Sequence, residues 1–180
     1  MQFLMDQWMA IVVSAVLVFI ASFLTHMVLP LHKGEFKKLV DEDGVMNTVS
    51  TVSPGLYMFP CVNNASEMNS PEFKAKVEKV PNGLLVVWPG GVNMGQNLGL
   101  TLLFYLVVGV FVAYIGTHAI PESAAYLTKF RLCGAVAFCA HGLGWMSFFI
   151  WYRYGKFWPN FVDSLIYALV TAGTFAWLWK

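Results

Sequence analysis

Four histidines, His26, His32, His118 and His141, and three cysteines, Cys61, Cys133 and Cys139, are the side chains here best suited to ligate a metal or a pigment. His141 stands out because it lies in "AFCAHGLGW", Ala137–Trp145, a stretch that otherwise suits helix packing or contact with lipid. An imidazole in that setting either hydrogen-bonds across a helix face or ligates a haem iron or a chlorophyll-type magnesium. Bis-histidine haem needs two imidazoles at nearly the same depth on facing helices. At roughly 1.5 Å per residue, His141 lies about 4 Å and His26 about 12 Å from their span midpoints, toward one face. His118 sits at the opposite surface and His32 beyond the first span, so no pair matches. Ala137 with His141 has the small-xxx-His spacing of pigment-binding helices, a pattern common by chance. The packing role is therefore favoured and no cofactor is expected; a haem or chlorophyll-type pigment at His141 is the alternative.

The remaining chemistry is sparse. The cysteines are odd in number and lack C-x-x-C spacing, so neither a disulfide framework nor a zinc site follows. In "WPGGVNMGQNLG", Gly90, Gly91 and Gly95 lead into an apolar run and expose amides where an anion such as a lipid phosphate could bind, but the lysine of a P-loop is missing. A tight turn followed by glycine-faced packing is the favoured reading of that stretch. No G-x-S-x-G, H-E-x-x-H or pair of intramembrane carboxylates pairs a nucleophile with a base, so an enzyme is not expected. The ionisable residues near the apolar runs, Asp6, Lys129, Arg131 and Asp163, lie within a few turns of an interface, which leaves a transporter the third reading. Asp163 reads as a first-turn acid at a helix N-terminus.

These residues must be positioned by membrane-spanning helices. The chain is 58% hydrophobic, 16% aromatic and 12% charged, with a mean hydropathy of +0.62, too apolar for a soluble domain of 180 residues. Crossing a hydrocarbon core of roughly 30 Å takes about 20 apolar residues. Four segments qualify: 7–29, 98–118, 125–152 and 160–179. The first lacks a basic n-region and a cleavage-site pattern, and reads as a retained anchor. The expected fold is an all-α membrane protein of four transmembrane helices, a single membrane domain over 1–180 with an extramembrane loop at 30–97.

Small residues mark the packing faces: Ala137 and Gly144 on the third span, Ala168, Ala172 and Ala176 on the fourth, Gly95 and Gly99 leading into the second. The loop has structure of its own. "SPEFKAKVEKVP" offers Ser70 as a cap, Pro71 in the first turn and a Glu72–Lys76 pair, and predicts a short helix. "GLYMFPC" and "GLLVVW" flank it as two short strands that can pair.

Lys33, Lys37, Lys38, Lys74, Lys76, Lys79, Arg153 and Lys156 lie on the loop face, against Lys129, Arg131 and Lys180 on the other. The positive-inside rule then puts the long loop in the cytoplasm and both termini outside. Trp8, Trp177 and Trp179 fall at one interface and Trp151, Tyr152, Tyr154 and Trp158 at the other, as amphipathic rings do. A net charge of +1 without a basic stripe excludes a dedicated nucleic-acid binder.

The stretches "HMVLPLHKGEFKKL", "SPGLYMFP", "SPEFKAK", "NMGQNLGLTLLFYLVV" and "DSLIYALVTAGTFAWLW" resemble a group of small bacterial integral-membrane proteins of unassigned function. The resemblance spans essentially the whole chain. It implies the bacterial cytoplasmic (inner) membrane and transfers no site residues. The function expected is a non-catalytic accessory or scaffolding subunit of a larger membrane complex, respiratory or photosynthetic, with other integral-membrane subunits and lipids as partners. A cofactor- or lipid-binding subunit using His141 is the alternative. In a background lacking Cys61, a cysteine placed at Asn47 should be shielded from an impermeant thiol reagent in intact cells; labelling from outside would reverse the orientation.

Overall fold

The computed structural model describes residues 2–180 and divides into two compact units, 2–36 with 93–180, and Lys37–Val92. The second unit lies inside the loop expected at 30–97, whose first residues fold with the helices while its middle makes contacts of its own.

The larger unit holds four helices long and apolar enough to cross a membrane. The first is α1, Gln2–Phe23, prolonged by a π-helical turn, Leu24–Val28. Pro30 then ends it with a single 3₁₀ turn, Pro30–His32. The others span Met94–Ala119, Tyr126–Tyr152 and Phe157–Leu178, each within a few residues of the ranges read from hydropathy. Numbered in chain order with the two helices of the smaller unit, α2 (Glu42–Val49) and α3 (Pro71–Lys79), these are α4, α5 with α6, and α7. The third span is continuous but compound: α5, Tyr126–Phe138, passes through a π turn, Cys139–Leu143, into α6, Gly144–Tyr152.

Packing closes the helices into a ring, α1 against α4, α4 against α5, α5 against α7 and α7 against α1. The core is made of small and branched side chains: Ala10, Ile11, Val112, Ala113, Cys133, Ala137, Ala168 and Phe175. Small residues are needed where backbones approach. A Cβ on Gly109 would stand 3.2 Å from Ile11 Cγ2, and one on Gly134 would stand 3.1 Å from the Ala172 Cβ. Ala168, Ala172 and Ala176 are all buried on α7, the most enclosed of the four helices.

Three glycines expected at packing faces lie elsewhere. Gly95, Gly99 and Gly144 are exposed, and a Cβ on Gly99 or Gly144 would meet open space. The π turn explains Gly144, since its extra residue rotates everything beyond it off the face that Ala137 occupies. Gly95 and Gly99 lie in the first two turns of α4, outside the stretch in which α4 buries residues, Tyr105–Gly116.

In the smaller unit, strands β1 (Gly55–Phe59) and β2 (Gly83–Val87) pair antiparallel, with Tyr57 opposite Leu85 and Phe59 opposite Gly83. Gly83 leaves room for the Phe59 ring, which a Cβ there would strike at 2.5 Å. The Ser70 Oγ accepts from the Phe73 N–H at 3.1 Å and starts α3 as its cap. The sequence reading did not foresee α2, which Asp41 caps by accepting from the Gly44 N–H. No residue of Lys37–Val92 is fully buried.

The close α5–α7 contact yields a direct test. Ala172→Leu should push α7 away from Gly134 and cost about 1–3 kcal/mol of stability, read by thermal or denaturant unfolding in detergent. A control substitution on the exposed face of α7, Leu165→Ala or Leu165→Ile, should be nearly silent.

Candidate functional site

At the end of the larger unit where α1 stops and α7 begins, four ionisable side chains converge. The π turn of α1 carries Thr25 and His26; the extended Leu29 and the Pro30 turn then swing the chain back, so that the His32 ring stacks on His26 with centroids 4.1 Å apart and planes 10° from parallel. A straight α-helix would have carried His32 beyond the span. Asp163 faces both rings from the second turn of α7, with only 4% of its surface exposed.

The sequence reading made Asp163 a first-turn acid; the fold places it in the second turn of α7. Asp163 Oδ2 accepts from His32 Nε2 at 2.9 Å and lies 3.6 Å from His26 Nε2. The other carboxylate oxygen, Oδ1, is buried with no hydrogen-bond partner.

The far side of each imidazole is fixed as well. His26 Nδ1 sits 3.0 Å from the Ser22 carbonyl oxygen, an acceptor only, so Nδ1–H donates and Nε2 faces the site. His32 Nδ1 donates to Glu35 Oε2 at 2.6 Å. Glu35 is itself held: its Oε1 accepts from the Lys156 N–H at 3.1 Å and from Asn160 Nδ2 at 3.5 Å. The tight turn between α6 and α7 makes this possible. Arg153 and Gly155 both adopt left-handed backbone, φ 53° and 75°, and a Cβ on Gly155 would lie 2.7 Å from Glu35 Oε1. Gly155 is thus required by conformation and by space.

Burial alone would lower the His32 pKa, but hydrogen bonds from Glu35 and Asp163 and their charges outweigh it and raise the value above 6.5. For Glu35, burial works upward and is outweighed by His32, the Lys156 amide and Asn160, so its pKa falls below 4.5. In the metal-free cluster both His32 nitrogens face carboxylate oxygens, an arrangement that favours the imidazolium.

His26, His32 and Asp163 each offer one ligand atom within 4.8 Å of the other two, a grouping that could hold a metal ion. Ligand bonds of about 2.0–2.2 Å put neighbouring ligand atoms roughly 3–3.5 Å apart. The observed 2.9 and 3.6 Å are near that spacing, but an imidazole lone pair lies in the ring plane, so one of the two stacked rings would have to turn for both to ligate one ion. Glu35 on His32 Nδ1 and the Ser22 carbonyl on His26 Nδ1 would be the outer partners orienting the imidazoles if they held a metal. Two carboxylates and two neutral imidazoles would balance a divalent cation.

The residues singled out from sequence lie outside this cluster. His141 is half-buried on the second π turn, and its ring meets Tyr167, Tyr105 and Phe104 edge-on at centroid distances of 5.6, 5.7 and 5.9 Å. Tyr167 links the two regions, its hydroxyl lying 3.2 Å from Thr25 Oγ1, which is in turn 3.2 Å from His26 Nδ1. Gly90, Gly91 and Gly95 are exposed, a Cβ on Gly90 or Gly91 would meet open space, and Asn93 Oδ1 accepts from the Gln96 N–H at the start of α4. Compared with known protein families, curated proteins and solved structures, the chain matches none of them.

The ion-paired cluster makes stability depend on pH in both directions. His32, raised in the folded state, contributes fully below pH 6.5 and loses its contribution as pH rises through the folded value. Glu35, depressed, contributes fully above pH 4.5 and loses its contribution as pH falls through the folded value. In metal-free buffer the melting temperature should therefore be highest, on this account, between pH 4.5 and 6.5. Glu35→Gln should flatten that profile in parallel melts; an unchanged profile would remove His32 and Glu35 as its source.

Proposed function

We propose that this is a multi-pass membrane protein whose helical unit binds one divalent first-row transition metal at His26, His32 and Asp163. It departs from the sequence reading, which expected no metal and whose cofactor alternative was a haem or pigment at His141. The observation that carries it is the buried Asp163 carboxylate, with one oxygen unpartnered and the other facing two Nε2 atoms whose rings are held from behind. Nitrogen and carboxylate ligands without thiolate suit zinc, iron or manganese, and three protein ligands leave coordination positions for water or a further ligand. The metal, when bound, would supply Lewis acidity at those positions. The chain's own part is to hold the ligand atoms: the α1 π turn and Pro30 bring the imidazoles together, and Glu35 orients His32. A bacterial inner-membrane location with the loop in the cytoplasm belongs to this reading, supported by the lysine distribution.

The accessory or scaffolding subunit is the second reading, favoured by one observation. The Lys37–Val92 unit buries no residue fully and exposes Val40, Leu56, Met58 and Trp88, surface that a neighbouring subunit of a complex would cover. In that role the His32–Asp163–Glu35 cluster is a clamp between α1 and α7 rather than a metal centre.

Full-length protein purified in mild detergent, stripped with chelator and reloaded with Zn²⁺, Fe²⁺ or Mn²⁺, should take up one equivalent by elemental analysis. Asp163→Asn and His26→Gln should abolish that uptake, Glu35→Gln should weaken it by about 10–100-fold, and His141→Gln should leave it unchanged. Helical circular dichroism reports whether each variant is folded. A folded wild-type chain that takes up no metal would overturn the metal reading and leave the clamp.

A further inference from the structure

A groove of about 360 Å³ runs between α1 and α4 beside the metal-ligand cluster. Its walls are the Phe19, Phe23 and Leu98 side chains; Ser22, Thr101, Tyr105 and His26 supply the polar groups that line it. Phe23 and Leu98 are about half exposed, and both belong to helices apolar enough to cross a membrane, so the groove opens sideways toward the hydrocarbon. Its size falls at the lower end of ligand pockets, roughly 300–1,000 Å³.

The lining selects the kind of molecule. No Asp, Glu, Lys or Arg contributes to it, so neither a phosphate nor a carboxylate head group has a counter-charge among these residues. The polar groups are hydroxyls and one imidazole, which serve a neutral oxygen-bearing head. Phe19, Phe23 and Tyr105 present aromatic rings, which pack well on a flat ring. His26 belongs both to this lining and to the metal-ligand set, so a head group seated in the groove meets the metal's own ligand.

We propose that the groove between α1 and α4 binds a lipid-soluble quinone-type molecule, its neutral ring against Tyr105 and His26 and its apolar tail leaving between Phe23 and Leu98 into the bilayer. The proposal rests on the metal reading for what the head group meets beyond His26, and on the groove alone for binding.

Decylubiquinone, a benzoquinone ring with a ten-carbon tail, is the probe, and decanol carries a tail of the same length without the ring. Wild-type protein in detergent should bind decylubiquinone saturably at one per chain, with decanol unable to compete. Thr101→Trp fills the groove from α4 and should weaken binding at least tenfold. Leu98→Trp, at a half-exposed position, serves as the second variant should Thr101→Trp misfold, with the same loss expected. Metal content is read in the same samples. Non-saturable uptake, displacement by decanol at equal concentration, or unchanged binding in a folded tryptophan variant overturns the proposal. Protein that holds metal but does not bind the probe overturns the groove and spares the metal site. Protein that binds the probe in the Asp163→Asn variant as well as in wild type, with no metal in either, supports the groove and overturns the metal reading.

Discussion

A carboxylate enclosed in an apolar helix ring must be compensated, and Asp163 imposes that requirement on everything around it. His32 meets it with an Nε2–H, and can do so only because the chain reverses at Pro30. Glu35 then holds His32 from behind, and the Lys156 amide with Asn160 holds Glu35. The left-handed turn at Arg153–Gly155 gives that last carboxylate its space. One buried charge thus determines the exit of α1, the α6–α7 turn and the start of α7. Removing a single partner from such a chain leaves the next group buried and unpaired, which costs more than the pairing itself contributes.

The two π turns have related consequences. Each inserts a residue into a helix that would otherwise run on in α geometry, and each carries a histidine, His26 in one and His141 in the other. Such turns are frequent at functional sites because they re-aim side chains that regular helix would point elsewhere. The first turns His26 toward Asp163. The second sets His141 among the rings of Phe104, Tyr105 and Tyr167, where aromatic edges surround it.

Much of the architecture was legible because it depends on local properties. Four apolar runs of sufficient length name four spans, and Ser70, Pro71 and the flanking glycines punctuate α3 and its strands. The helix α2 was missed because its apolar residues, Val45, Met46 and Val49, span little more than one turn, too short a run to read a period from. Alanine faces on α7 could be traced by i, i+4 spacing, since that helix is regular throughout. The same spacing failed for Gly144, where the π turn shifts the phase by about one residue, or roughly 100°. The site itself was hidden by an assumption of straight helices. Depth measured along ideal axes sent His32 past the membrane surface, whereas Leu29 and Pro30 return it beside His26. The prolyl interruption between the two histidines was the one available signal.

The partners of this site are far apart in the chain: 131 residues separate His32 from Asp163, and 121 separate Glu35 from the Lys156 amide. During synthesis α1 is made before α7. The imidazoles at the end of α1 are therefore without their carboxylate until α7 is made, in an incomplete ring. Closure of the ring and completion of the site are one event, set by the arrival of the fourth span. Any factor that stabilises a half-built bundle in the meantime must do so without the cluster that finally holds its ends together.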